Sequence, residues 1–197
     1  MYHLFYNHEH VGDVLFIVLQ PNAYPDDNKV CGDVNALYKE GQLIGINIFN
    51  FGKTAKIKAS GMIIAPNDVL LDVINDKLVN AGLEKLPYCR DSGFKVAEVT
   101  LLEEHPLDER LRIVTLKVGE NTLSTVSRYQ NIEVGSKVVI VTDGAMKFDG
   151  TTFEKKVSRN IPIDCEICSP SDLRLNDEFK AAYLEEKKAS GDDFFID

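Results

Sequence analysis

At 197 residues, with 44% hydrophobic and 27% charged side chains, the chain has the composition of an ordinary globular protein with room for one or two cores. A formal net charge of −9 excludes attraction to nucleic acid by overall charge, so any such binding has to come from a local basic patch. No apolar run approaches the length of a membrane span, and the first residues carry neither a basic leader nor a long apolar region, so a cytoplasmic protein without membrane contact is expected.

Residues 1–7 alternate weakly and read as a first strand. His8-Glu9-His10 has a metal-like spacing, but its place before Gly12-Asp13 reads as an exposed turn. Residues 14–19 are continuously apolar, the mark of a buried strand, and 21–29 form a polar loop with two prolines. Residues 30–38 and 43–49, joined by Lys39-Glu40-Gly41-Gln42, read as a hairpin that ends at the turn Asn50-Phe51-Gly52. Pro66-Asn67-Asp68 then opens a helix with an apolar stripe of Val69, Leu70, Val73, Ile74, Leu78 and Ala81, stopped at Gly82. These elements predict an α+β N-terminal domain over residues 1–88, with 86–93 as the linker.

From residue 93 the pattern changes. Short β-branched runs, bounded by Gly, Pro, Asn or Asp, recur five times within about 75 residues. That spacing suits a five-stranded β-barrel of the oligonucleotide-binding (OB) type, predicted over 93–170. In the second run Leu111, Ile113, Thr115 and Lys117 face one way and Arg112, Val114, Leu116 and Val118 the other, so the strand has cover on both sides. Residues 138–141 are all apolar and mark a central strand. Gly119-Glu120-Asn121 and Gly150 supply hairpin turns. Residues 171–197 are expected to form a helical, acidic tail: Asn176 or Asp177 caps a helix to about Ala189 with Phe179, Ala182 and Tyr183 on its apolar side, and Phe194 and Phe195 either dock on the barrel or contact a partner.

No catalytic grammar is present: no Gly-rich phosphate loop, nucleophile elbow or H-E-x-x-H helix. Glu103 and Glu104 are adjacent and point apart, and His105 stands beside Pro106 in a loop, so a non-catalytic protein is expected. Of four cysteines, Cys165 and Cys168 form a lone C-x-x-C. Strand positions three apart face opposite sides, so no metal and no cofactor is expected there.

Residues 93–173 resemble the tRNA-binding OB domain shared by bacterial YtpR-type proteins, cytokine-like tRNA-binding proteins and the β subunit of phenylalanyl-tRNA synthetase. The resemblance rests on His105-Pro106, Leu111, Val118-Gly119, Val126, Asn131, Gly135, Val138, Gly150, Arg159, Pro162 and Ile167-Cys168-Ser169. Residues 1–92 resemble the YtpR N-terminal domain at Phe5-Tyr6-Asn7, Val11-Gly12-Asp13 and Asn47-Ile48-Phe49-Asn50. The chain departs from the family pattern at 107–111, 127–131 and 159–166. The resemblance implies binding of tRNA or another structured RNA. OB barrels hold nucleic acid on one face, with cations on phosphates and aromatic rings on bases. The candidates are Arg110, Arg112, Arg128, Tyr129, Asn131, Lys147, Phe148, Lys155, Lys156 and Arg159, with Arg128-Tyr129 as a cation beside a stacking ring. Asn131 either bonds RNA or shapes the turn before Gly135. Residues 93–170 hold 10 basic and 12 acidic side chains, so the barrel is not basic as a whole. That balance leaves a protein-interaction module, binding a protein partner or a second copy, as the alternative.

Overall fold

The computed structural model describes residues 2–196. Met1 of the expected first strand and Asp197 of the expected tail lie outside them. The described residues are mostly β with two α-helices, and internal contacts divide the chain between Arg90 and Asp91 into two compact units. Among the described residues no helix is long and apolar enough to cross a membrane.

The first unit contains, in chain order, β1 (His3–Tyr6), α1 (His8–Val11), β2 (Val14–Val18), β3 (Asp27–Cys31), β4 (Val34–Lys39), β5 (Gln42–Phe49), β6 (Gly61–Ile63) and α2 (Asp68–Asn80). Its six strands form one antiparallel sheet in the order β3-β4-β5-β2-β1-β6. Alternation puts Leu4 and Tyr6, Leu15 and Ile17, and Ile46 and Ile48 into one core with Phe51 and with Leu71, Ile74 and Leu78 of α2. The exposed turn expected at His8-Glu9-His10 is a single exposed turn of helix, capped by Asn7, whose side chain accepts from the His10 amide. Two expectations are corrected. β3, taken as loop and hairpin start, is an edge strand with all five residues exposed; with nothing to bury, it has no alternation to read. The helix stripe is rotated, because Val69 is 73% exposed while Leu71, Ile74, Asn75 and Leu78 are buried. Asn75 is polar yet inside because its amide bonds both the carbonyl (3.0 Å) and the amide (2.7 Å) of Leu86, holding the chain beyond the helix. The landmarks near Asn50 also form a hydrogen-bonded corner: the Asp13 carboxylate accepts from Tyr6 (3.0 Å) and from the Gly52 amide (2.6 Å).

The second unit contains β7 (Phe94–Glu104), β8 (Arg112–Val118), β9 (Asn121–Ser127), β10 (Lys137–Val141), β11 (Lys156–Ser158), β12 (Ile161–Ile163) and β13 (Glu166–Ile167). Five of these form an antiparallel sheet in the order β13-β10-β7-β8-β9, curled into a half-barrel, and β11 and β12 make a separate hairpin. The core lies in its concavity: Ala97, Val99, Val114, Leu116, Val138, Ile140 and Ile167 are buried together. The expected closed barrel does not form. β13 has only two residues, and β9 meets the chain before it through local bonds instead of a ladder. The Asp164 amide donates to Ser124 (2.8 Å), the Asp164 carboxylate accepts from the Ser124 amide (2.9 Å), and the Thr125 hydroxyl donates to the Cys165 carbonyl.

The expected C-terminal helix does not form either. The described residues 171–196 hold turns and isolated bridges instead. Such a helix would have buried only a narrow strip and left its many charges as it found them. Laid along the sheet as turns and bridges, the segment satisfies two open strand edges. β8 accompanies β7 only as far as Glu98; beyond it, Val96 donates to Asp192 and accepts from Gly191, and Phe194 donates to Phe94. β13 accompanies β10 only at Ile140 and Val141; beyond it, Glu185 donates to Lys137 and Leu184 bridges Val138. Phe195 packs edge-on against Phe94 at 5.2 Å, so this part of the expected docking is present.

Candidate nucleic-acid interface

Two grooves on the second unit gather cations. The first, of about 640 Å³, is lined by Glu109, Arg110, Arg128, Gln130, Phe179 and Lys180. The loop ahead of β8 supplies Arg110, whose guanidinium forks onto Asp108 at 2.9 and 2.8 Å. That fork holds the Asp108 carboxyl at a pKa of about 2. The chain just after β9 supplies Arg128 and Gln130. The Gln130 amide donates to the carbonyls of Arg110 (3.2 Å) and Arg128 (3.3 Å) and so ties the two loops together. Phe179 and Lys180 come from the C-terminal segment.

The second groove, of about 550 Å³, lies where β9 faces the 147–156 region and the start of β13, and it includes Lys147, Lys155 and Lys156. The Lys147 ammonium is paired with Glu166 at 3.1 Å. Burial pulls its pKa down, but the Glu166 contact outweighs this and holds it above the usual lysine value. Lys155 donates its amide to Asp143 (2.8 Å), with its ammonium 3.9 Å from the same carboxylate. Lys156 is exposed at the start of β11. Arg159 lies on neither groove's lining; it is exposed at the β11–β12 turn, where it and Asn160 both have positive φ, 51° and 64°. That pair is the geometry of a two-residue hairpin turn, which Asn tolerates well and Arg does not. Among the described residues, Arg128, Lys156, Arg159 and Lys180 make no ion pair.

Four sequence candidates are engaged by contacts within the unit: Tyr129 is buried, Arg112 and Phe148 are half-buried, and Asn131 is exposed but bonded. Tyr129 is only 6% exposed and belongs to the core, so its ring has no face free for a base; burial pushes its pKa up. The chain folds it in at once after β9, its amide donating to the Ser127 hydroxyl (3.1 Å). Arg112 donates from its guanidinium to the Tyr129 carbonyl. Asn131 bonds the Ala182 carbonyl and amide, each at 2.9 Å, and so pins the C-terminal segment. Phe148 packs among Phe94 and Phe195, with Arg174 over its ring at 5.1 Å. Sequence reasoning did not single out Phe179 or Lys180 for binding, because both fell within the expected helix.

Cys165 and Cys168 are both buried, and burial pushes the Cys165 thiol up to about 12 and the Cys168 thiol well above its ordinary value. Among the described residues no group of three or more His, Cys, Asp or Glu side chains is arranged to hold a metal ion.

The curled five-stranded half-barrel makes the second unit an OB-fold-like β domain with cation-bearing grooves. No family model matches the chain. It is 32% identical over 197 residues to the "Putative tRNA-binding protein YtpR" of Bacillus subtilis, covering 96% of this chain and 98% of that protein. The chain therefore belongs to the YtpR family. It is also similar to phenylalanine–tRNA ligase β subunits. The one from Psychrobacter arcticus is 34% identical over 111 residues, and that from Acinetobacter baylyi 32% over 108. Each match covers 52% of this chain but only 14% of the subunit.

Proposed function

We propose that this chain binds tRNA, or a structured RNA like it, without catalysis, through an OB-type domain at residues 93–170. In this reading residues 1–88 are a separate domain and 171–197 a tail laid on the OB-type one. The observation that carries the reading is the likeness to YtpR along almost the whole chain. The cations offered to phosphates are Arg128, Lys155, Lys156 and Arg159; Lys155 lies 3.9 Å from the Asp143 carboxylate, and Arg110 and Lys147 are held more closely by carboxylates. Phosphate contacts of this kind supply affinity and register and carry no base specificity. Arg112 and Tyr129 support the binding surface from behind, and Asn131 fastens the C-terminal segment beside it.

The test is titration of bulk tRNA against the unaltered protein and Lys155→Ala and Lys156→Ala variants. Each substitution is expected to weaken binding and to lower the salt slope by about one. Unchanged affinity in both variants would remove these lysines from the interface. One observation favours a second reading, a protein-interaction module: β3 is a fully exposed sheet edge, open to pairing with another strand. Absence of tRNA binding at low salt would favour that reading.

A further inference from the structure

We propose that Phe179 is the base-stacking residue of this protein and that its groove takes a single unpaired nucleotide of the bound RNA. This rests on the RNA-binding reading above and adds a ring and a ligand class to it. Among the aromatic rings of the described residues 91–196, Phe179 alone is exposed, at 55%. Its backbone is held on both sides. The Asn176 side chain accepts from the Glu178 amide (2.8 Å), the Glu178 carboxylate accepts from the Lys180 amide (2.6 Å), and the Glu178 carbonyl accepts from Ser171 (2.8 Å). Three residues on, Asn131 pins Ala182. A large apolar ring on a pinned turn, left half in water beside a groove, is placed to meet a planar partner.

The surroundings specify the partner's charge. Arg110, Arg128 and Lys180 line the groove with Glu109; Asp108 occupies the Arg110 guanidinium, so Arg128 and Lys180 carry the positive charge left to a ligand. The Lys180 ammonium lies over the Phe179 ring at 5.9 Å, so a base stacked there brings its phosphate towards a cation. An aromatic, anionic ligand fits this combination. A volume of about 640 Å³ falls within the range of roughly 300–1,000 Å³ typical of small-molecule sites. Bases inside a duplex are stacked on each other and offer no face to a protein ring, whereas unpaired bases do. The groove therefore selects loops, bulges or strand ends.

The test compares the unaltered protein with Phe179→Ala and Phe179→Trp. The probes are bulk tRNA, a short single-stranded RNA carrying 2-aminopurine, and a blunt RNA duplex of similar charge. Phe179→Ala is expected to lose roughly 5- to 150-fold in affinity for tRNA and for the single strand, with the salt slope unchanged. The 2-aminopurine quenching on binding is expected to vanish with it. Phe179→Trp is expected to retain both, duplex binding to stay as it was, and the unfolding midpoint of each variant to match the parent because the ring is exposed. If Phe179→Ala binds tRNA as the parent does, or weakens duplex and single strand alike, this proposal falls and the RNA-binding reading stands. If the unaltered protein binds no tRNA, both fall together.

Discussion

Asn131 gives the sharpest contrast between what the sequence suggests and what the structure does with a residue. Its amide makes two bonds of 2.9 Å to the backbone of Ala182, and these fasten the C-terminal segment over the half-barrel. Asn131→Ala removes both. At a net 0.5–1.5 kcal/mol each, the loss is about 1–3 kcal/mol. For a unit of this size each kcal/mol lowers Tm by roughly 4 °C, so the second unit is expected to melt about 4–12 °C earlier. Calorimetry reads that shift. Hydrogen exchange localises it, since the amides of Val96 and Glu185 are bonded across the junction with the tail and are expected to lose protection first. A variant with unmoved melting and intact protection, yet tenfold weaker tRNA binding, would show that Asn131 touches RNA and that the clamp contributes nothing.

Gly191 has φ of +100°, and a Cβ there would meet Gly119 Cα at 2.9 Å; Gly191→Ala is expected to destabilise the second unit by about 1–3 kcal/mol, read by denaturant unfolding. Burial raises the Asp193 pKa, but bonds from the Ser92 hydroxyl and amide, the Phe195 amide and Lys95 outweigh it and hold the carboxyl below its usual value. A depressed carboxylate stabilises above its unfolded pKa and loses that contribution as pH falls through the folded one. The second unit is therefore expected to weaken below about pH 4, and Asp193→Asn to flatten that acid limb in a pH series of unfolding midpoints. Exposed Cys31 is expected to react rapidly with an aromatic disulfide reagent, and buried Cys165 and Cys168 only after unfolding; rapid labelling of all three in the native protein would contradict the burial.

Elements that bury one face were legible in the sequence, and elements that serve another element's backbone were not. β7, β8, β9 and β10 announce themselves through β-branched runs because their side chains fill the concavity of the half-barrel. The tail from Tyr183 to Phe194 follows turns and isolated bridges for a different reason, to bond the open edges of β7 and β10, and that demand is met by peptide groups that every sequence possesses. Asn75 and Asn131 share a role that residue type alone does not display: each side-chain amide bonds both the carbonyl and the amide of a distant residue, as a strand partner would. Tyr129 sits beside Arg128 in a polar stretch, the pattern of a surface loop, yet the turn at Ser127 carries its ring inward. Among the candidate cations, Lys156 and Arg159 are exposed, whereas the carboxylates that occupy Arg110 and Lys147 come from Asp108, two residues away, and from Glu166 of β13.

The most direct measurement is the affinity of the unaltered protein for bulk tRNA as a function of salt. Four phosphate contacts, from Arg128, Lys155, Lys156 and Arg159, predict a log–log slope of roughly −3 to −4 and a loss of about 100-fold between 50 and 200 mM salt. A slope near zero, or no binding at the lower salt, would contradict an RNA-binding role for these side chains.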